Sequence, residues 1–104
     1  MDITINNENG RMVVGLIGEF DNAASTKAQR QLAPVFESED SDIVIDCSQL
    51  EYISSSGLRI LLSIFKHAHG KGHAAILKGM TDEVDEAIDM SGLKDLFVVE
   101  EYRG

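Results

Sequence analysis

Six residues, Asp42 to Cys47 (DIVIDC), set the narrowest limit on what this chain can become. Ile43, Val44 and Ile45 follow one another with no polar residue between them. A strand with one wet face alternates apolar and polar side chains. A short β-branched run without alternation reads instead as a strand buried on both faces, as in the parallel sheets of α/β proteins. The segments that flank it have the other period. From Ser55 to His69, Leu58, Leu61, Leu62 and Phe65 recur at helical spacing, and Ile60 and Ile64 widen the stripe.

The rest of the chain repeats this exchange of periods. Ile3 and Ile5 alternate with polar neighbours in a short first strand over residues 2–6. The turn-forming NNENG leads to a second strand over 11–19, so the two make an N-terminal β-hairpin. Gly15 and Gly18 in that second strand suggest a bulge or a close backbone approach. Asp21 or Asn22 caps a helix with Ala24, Ala28, Leu32, Val35 and Phe36 on one side. Pro34 interrupts it; because Val35 and Phe36 keep the stripe, a kink is expected there rather than an end. Ala74 to Leu77 is a further buried strand. Thr81 caps an acidic helix, DEVDEAIDM, that Gly92 ends, and Phe97 to Glu100 closes the chain's last strand. The order β-β-α-β-α-β-α-β implies right-handed crossovers. The expected fold is α/β: a mixed, mostly parallel sheet with an N-terminal hairpin and three main helices, in one domain spanning residues 1–104.

Nine basic against eighteen acidic residues give a net charge of −9. That balance argues against nucleic acid and against an anionic membrane surface as partners. The charges are also unevenly spread. No acid occurs from Tyr52 to Thr81, where Arg59, Lys66, Lys71 and Lys78 fall, whereas eight acids follow from Asp82 to Glu101. No apolar run has the length of a membrane helix, and the N-terminus lacks a signal-peptide pattern, so a cytoplasmic protein is expected. Cys47, the single cysteine, reads as a small buried hydrophobe. His67, His69 and His73 have no carboxylate or thiolate beside them in the sequence and read as solvated helix-end and loop residues. No metal site and no cofactor are expected.

Catalytic motifs are missing. The serines at 54–56 lack the flanking glycines of a hydrolase elbow, and GKGH at 70–73 completes neither a phosphate loop nor a dinucleotide fingerprint. An enzyme is therefore not expected, and the stretch YISSSGLRILL, residues 52–62, carries the functional weight. It places three serines between a strand and a helix. Ser54 or Ser55 can cap that helix, worth about 1 kcal/mol against alanine, with Ile53 as the apolar residue ahead of the cap. The same geometry suits a phosphoryl group, because a helix N-terminus has unpaired N–H groups and a positive dipole end.

The segment DCSQLEYISSSGLRILL, residues 46–62, resembles the signature of STAS-domain anti-sigma factor antagonists. GLIGEFDNAAS at 15–25 and MSGLKDLFVV at 90–99 are similar to the family's first helix entry and its ending. The resemblance implies a binding module that works by partner switching. Unphosphorylated, such a protein sequesters an anti-sigma factor that is also a GHKL-type serine kinase, and a sigma factor is freed. Phosphorylated by that kinase it lets go, and a PP2C-type phosphatase resets it. Aligned on Gly57 and Leu58, the family's phosphorylated serine falls on Ser55. Ser56 takes the small-residue position, and Ser54 stands where the best-known members carry aspartate, which leaves Ser54 as the alternative acceptor. Asp21 and Asp46 match family aspartates near the same surface, and either could equally serve in capping or loop hydrogen bonds. The implied partner-binding set is Asp21, Asp46, Ser54, Ser55, Ser56, Gly57, Leu58 and Arg59. Nothing in the sequence demands more than a monomer. The wider superfamily offers an alternative: an unphosphorylated scaffold or regulatory subunit of a transporter or lipid-transfer complex.

Overall fold

A computed structural model describes residues 1–101. Its five strands are β1 (Asp2–Glu8), β2 (Arg11–Phe20), β3 (Ile43–Ile53), β4 (Ala75–Lys78) and β5 (Val98–Glu100). They form one sheet in the order β1-β2-β3-β4-β5. β1 and β2 are the antiparallel hairpin, and β2 through β5 run parallel. The helices are α1 (Asn22–Gln31), α2 (Ala33–Phe36), α3 (Ser55–Gly70) and α4 (Asp82–Met90), with a 3-10 turn at Lys94–Leu96 before β5. The mixed α/β fold is the expected one.

The core forms where alternate strand residues meet the helix stripes. Val14 and Leu16 of β2, Ile43, Ile45 and Cys47 of β3 and Leu77 of β4 join Ala28, Ile60, Leu61, Ile64, Val84 and Ile88 in one apolar cluster. α3 sits slightly rotated from the expected stripe. Ile60, Leu61, Ile64 and Ala68 are its buried line, while Leu58, Leu62 and Phe65 are half-buried. Val44 and Ile76 point the other way from the core line of their strands and are buried as well.

Several boundaries differ from expectation. The first helix does not kink at Pro34. It ends at Gln31, with Leu32 as its C-cap at φ −90 and ψ 7, and Pro34 lies in the first turn of the separate helix α2. Proline is tolerated at that position because a helix's first N–H groups have no intrahelical acceptor. β3 runs on to Ile53, whereas only residues 42–47 read as strand, so the serines follow a strand directly. His69 is exposed, as expected, but His67 and His73 are half-buried and held by partners. His67 Nε2 lies 2.7 Å from the Ser38 carbonyl oxygen, and the ring meets Phe36 edge-on. His69 stacks on Phe65. His73 has Asp42 Oδ1 at 3.1 Å from Nδ1 and Asp40 Oδ1 at 3.3 Å from Nε2. These partners come from the loop before β3, some thirty residues back. The Ala74 N–H donates to Asp42 Oδ1 at 3.0 Å, and that bond, aided by His73, lowers the Asp42 carboxyl's pKa.

β3 is also longer than its partner over the same stretch. Gly15 pairs with Asp46 and Phe20 with Ile53, so seven steps on β3 match five on β2, and the register shifts twice. Gly18, at φ +102, lies beside the second shift. Such bulges bend a strand and raise its local twist.

Burial and the neighbouring Asp46 charge push the Cys47 thiol up from 9.0 to about 12. A raised folded value means that the neutral thiol is favoured by folding. Its contribution to stability is full below pH 9.0 and is lost as pH rises toward about 12. Folded protein should therefore resist iodoacetamide in mildly alkaline solution and react once unfolded in urea. Equal rates in the two states would contradict this burial.

Candidate functional site at two adjoining helix N-termini

Phe20 and Ile53 are register partners at the C-terminal ends of two parallel strands. In open parallel sheets, crossover helices start at that end, and it is where binding sites collect. Here α1 and α3 begin side by side. The Asp21 carboxylate caps α1 by accepting the Ala24 N–H at 2.8 Å. The Ser54 hydroxyl caps α3 by accepting the Gly57 N–H at 3.2 Å. The Ser54 backbone N–H donates to the Phe20 carbonyl at 2.8 Å, carrying the pairing one residue past the strand.

Gly57 closes the approach of α3 to the sheet. A β-carbon there would lie 2.9 Å from Ile53 Cγ1 and 3.0 Å from Phe20 Cγ. Phe20 is fully buried, so its ring has little room to yield. Gly57 is thus buried and faces inward, where its missing side chain lets α3 pack against the sheet.

The three serines divide by environment. Ser54 is 7% exposed and is committed to the cap. Ser56 is half-buried and is the hub of a hydroxyl network that joins the two helices. Its hydroxyl donates to Asn22 Oδ1 at 2.7 Å and lies 2.9 Å from Ser25 Oγ and 3.0 Å from Ser54 Oγ. Ser25, itself buried, reaches the Asp21 carbonyl at 3.0 Å. Ser55 alone of the three is exposed, and its hydroxyl takes no partner among the described residues.

Arg59 lies one turn further along α3. It lines a groove of about 310 Å³ between α1 and α3, opposite Asn22, Ser25, Thr26 and Gln29. Leu58 is half-buried and packs against the core. Asp21 is brought to the site as a cap. Asp46 is not. It pairs with Gly15, five β2 steps before Phe20, or about 17 Å at a strand's usual rise. Its Oδ1 accepts the Ser48 N–H at 3.0 Å, within the first register shift. In this structure Asp46 serves its own strand and lies apart from the two helix N-termini. Asn22 was expected only as an alternative cap, and neither it nor Ser25 as a partner of Ser56; both lie in the GLIGEFDNAAS stretch. Among the described residues, no group of three or more His, Cys, Asp and Glu side chains could hold a metal ion.

A family model described as the STAS domain matches residues 2–103. The chain belongs to that family. Among relatives of this STAS domain, the anti-sigma-B factor antagonist of Bacillus subtilis is 28% identical over 86% of this chain and 81% of its own. The anti-sigma F factor antagonist of Paenibacillus polymyxa is 28% identical over 89% and 80%. The anti-sigma factor antagonist SpoIIAA in its unphosphorylated form superposes with a TM-score of 0.81 at 18% identity, covering 98% of this chain and 89% of that one. The Bacillus cell fate determinant SpoIIAA in its phosphorylated form gives 0.74 at 16% identity, over 98% and 92%. The shared fold reaches well beyond the shared residues.

Two substitutions separate packing from exposure. Ser56→Ala removes the hub and should cost about 1 kcal/mol in urea denaturation, whereas Ser55→Ala should stay within about 0.5 kcal/mol. Gly57→Ala gains about 1 kcal/mol of helix propensity but forces overpacking that costs about 1–3 kcal/mol. With Phe20 buried and rigid, a net loss is expected in the same measurement.

Proposed function

We propose that this STAS domain is an anti-sigma factor antagonist switched at Ser55. In the unmodified state it binds an anti-sigma factor that is also a GHKL-type serine kinase, and a sigma factor is freed. The kinase then transfers the γ-phosphoryl group of ATP to Ser55. The Ser55 oxygen forms the new P–O bond, the bond to ADP breaks, and the hydroxyl proton leaves to a base or water in the kinase site. A PP2C-type phosphatase hydrolyses the ester and restores the binding form. In this scheme the chain is a substrate and a ligand rather than a catalyst, and it acts as a cytoplasmic monomer. No helix among the described residues is long and apolar enough to cross a membrane.

The observation that carries the reading is the exposed, unpartnered hydroxyl of Ser55 beside two serines whose hydroxyls are already engaged. A kinase must surround its acceptor oxygen, and a buried cap such as Ser54 would have to break its bond to Gly57 first. Support also comes from the relatives that carry the antagonist name and from a fold relative solved in phosphorylated and unphosphorylated forms. Phosphorylation adds roughly −1.5 to −2 charges at neutral pH. They would appear in a stretch of sequence without acids, on the surface offered to the partner.

Phosphosite mapping of the protein from its own cells should find Ser55 modified and Ser54 not. Used as bait, Ser55→Ala should retain the kinase, while Ser55→Asp should bind it at least about tenfold more weakly, near 1.4 kcal/mol. Equal binding by the two variants would overturn the switch.

A further inference from the structure

Ser55 and Arg59 stand four residues apart on α3, which is 16 residues long. That spacing puts two side chains on one helix face, with β-carbons about 5–6 Å apart. Both residues are exposed. Among the described residues the Arg59 guanidinium takes no ion-pair partner. It is also the one cation lining the groove between α1 and α3. The other two serines lack this arrangement. Four residues beyond Ser54 and Ser56 stand Leu58 and Ile60. Arg59 is three residues from Ser56, whose hydroxyl is turned into the network with Asn22 and Ser25.

We propose that Arg59 is the intramolecular receptor of a phosphoryl group on Ser55, so that modification withdraws the guanidinium from the α1–α3 groove as it adds negative charge. The inference rests on Ser55 being the modified residue and adds how the modification is read. An unmodified surface offers a cation at the mouth of a polar groove. A modified surface offers a dianion paired to that cation, and the groove is left without positive charge. The guanidinium suits the task because its planar fork can hold two phosphate oxygens at once. The order is the favourable one too: the anion stands in the first turn, where the helix dipole stabilises it, and at this spacing an anion N-terminal to its cation is the stronger arrangement.

Few other charges compete. On α1, Asp21 spends a carboxylate oxygen on the Ala24 N–H. Lys27 and Arg30 line grooves that contain no α3 residue. On α3 itself the next cation after Arg59 is Lys66. At the strand ends below, Glu19 and Glu51 are exposed and would oppose rather than stabilise a phosphate.

The test uses full-length protein with phosphoserine genetically encoded at position 55, so that no kinase is needed. Phosphorus NMR follows the second ionisation of the phosphate against pH in the parent, Arg59→Gln and Arg59→Lys proteins. The parent value should lie at least about 0.3 pH unit below that of Arg59→Gln, with Arg59→Lys between them. High salt should shrink the gap, and the Arg59 Nε–H signal should shift when phosphoserine replaces Ser55. Superimposable titrations, or an unmoved Nε–H signal, would overturn the pair. Circular dichroism confirms that each variant is folded. A titration gap in this defined protein, with Ser55 never phosphorylated in cells, would leave the pair standing and remove the proposed function. The reverse result would remove the pair alone.

Discussion

The parallel pairing of Phe20 with Ile53 is the constraint on which the rest of the molecule depends. Because β2 and β3 finish on the same rung, the helices that follow them start next to each other. The Ser54 N–H bonded to the Phe20 carbonyl fixes that coincidence, and the missing side chain at Gly57 lets α3 settle onto the Phe20 ring. The site is a product of strand length and packing before any functional group is considered. Two positive helix ends then share one patch of surface.

On that patch the chemistry follows from how few hydrogens the hydroxyls have to give. Ser25 gives its one proton to the Asp21 carbonyl and Ser56 gives its own to Asn22 Oδ1, while the Ser54 oxygen accepts the Gly57 N–H and lies against the Ser56 hydroxyl. A hydroxyl so engaged is structural. Ser55 is left over, turned outward by the first turn of α3. The crowding of three serines is explained by two that build the platform and one that stands on it.

The sequence revealed what depends on neighbours within a turn or a strand. Alternation, helical spacing and the caps at Asp21 and Thr81 placed the strands and helices in the right order. What it hid depends on distant residues. The β3 segment from Ser48 to Tyr52 reads as a loop because Ser48, Gln49 and Glu51 are polar, and only pairing with β2 makes it a strand. His67 and His73 look solitary because Ser38, Asp40 and Asp42 are far away in the chain. At Pro34 the continuing apolar stripe favoured one bent helix, yet the missing N–H makes two helices the less strained solution. At the site, the motif around Ser55 was visible, but the Asn22 and Ser25 side of the network was not. Asp46 carried a family likeness without a place on the patch.

The two register shifts between Gly15 and Phe20 give the stretch from Asp46 to Ser54 the character of a ruler. Strand residues alternate by half a turn and helix residues advance by about 100° each. Removing one residue from that stretch would put Ser56 where Ser55 now looks outward, press Leu58 into the crowded place of Gly57, and turn Ile60 out to where Arg59 meets solvent. The loop from Glu37 to Asp42 carries no strand-to-helix phase; it needs only enough length to bring Ser38, Asp40 and Asp42 to His67, His73 and the Ala74 N–H. Drift in length is thus tolerable on one side of β3 and ruinous on the other, so insertions and deletions among descendants of this chain should accumulate before Ile43 and spare the span that follows it.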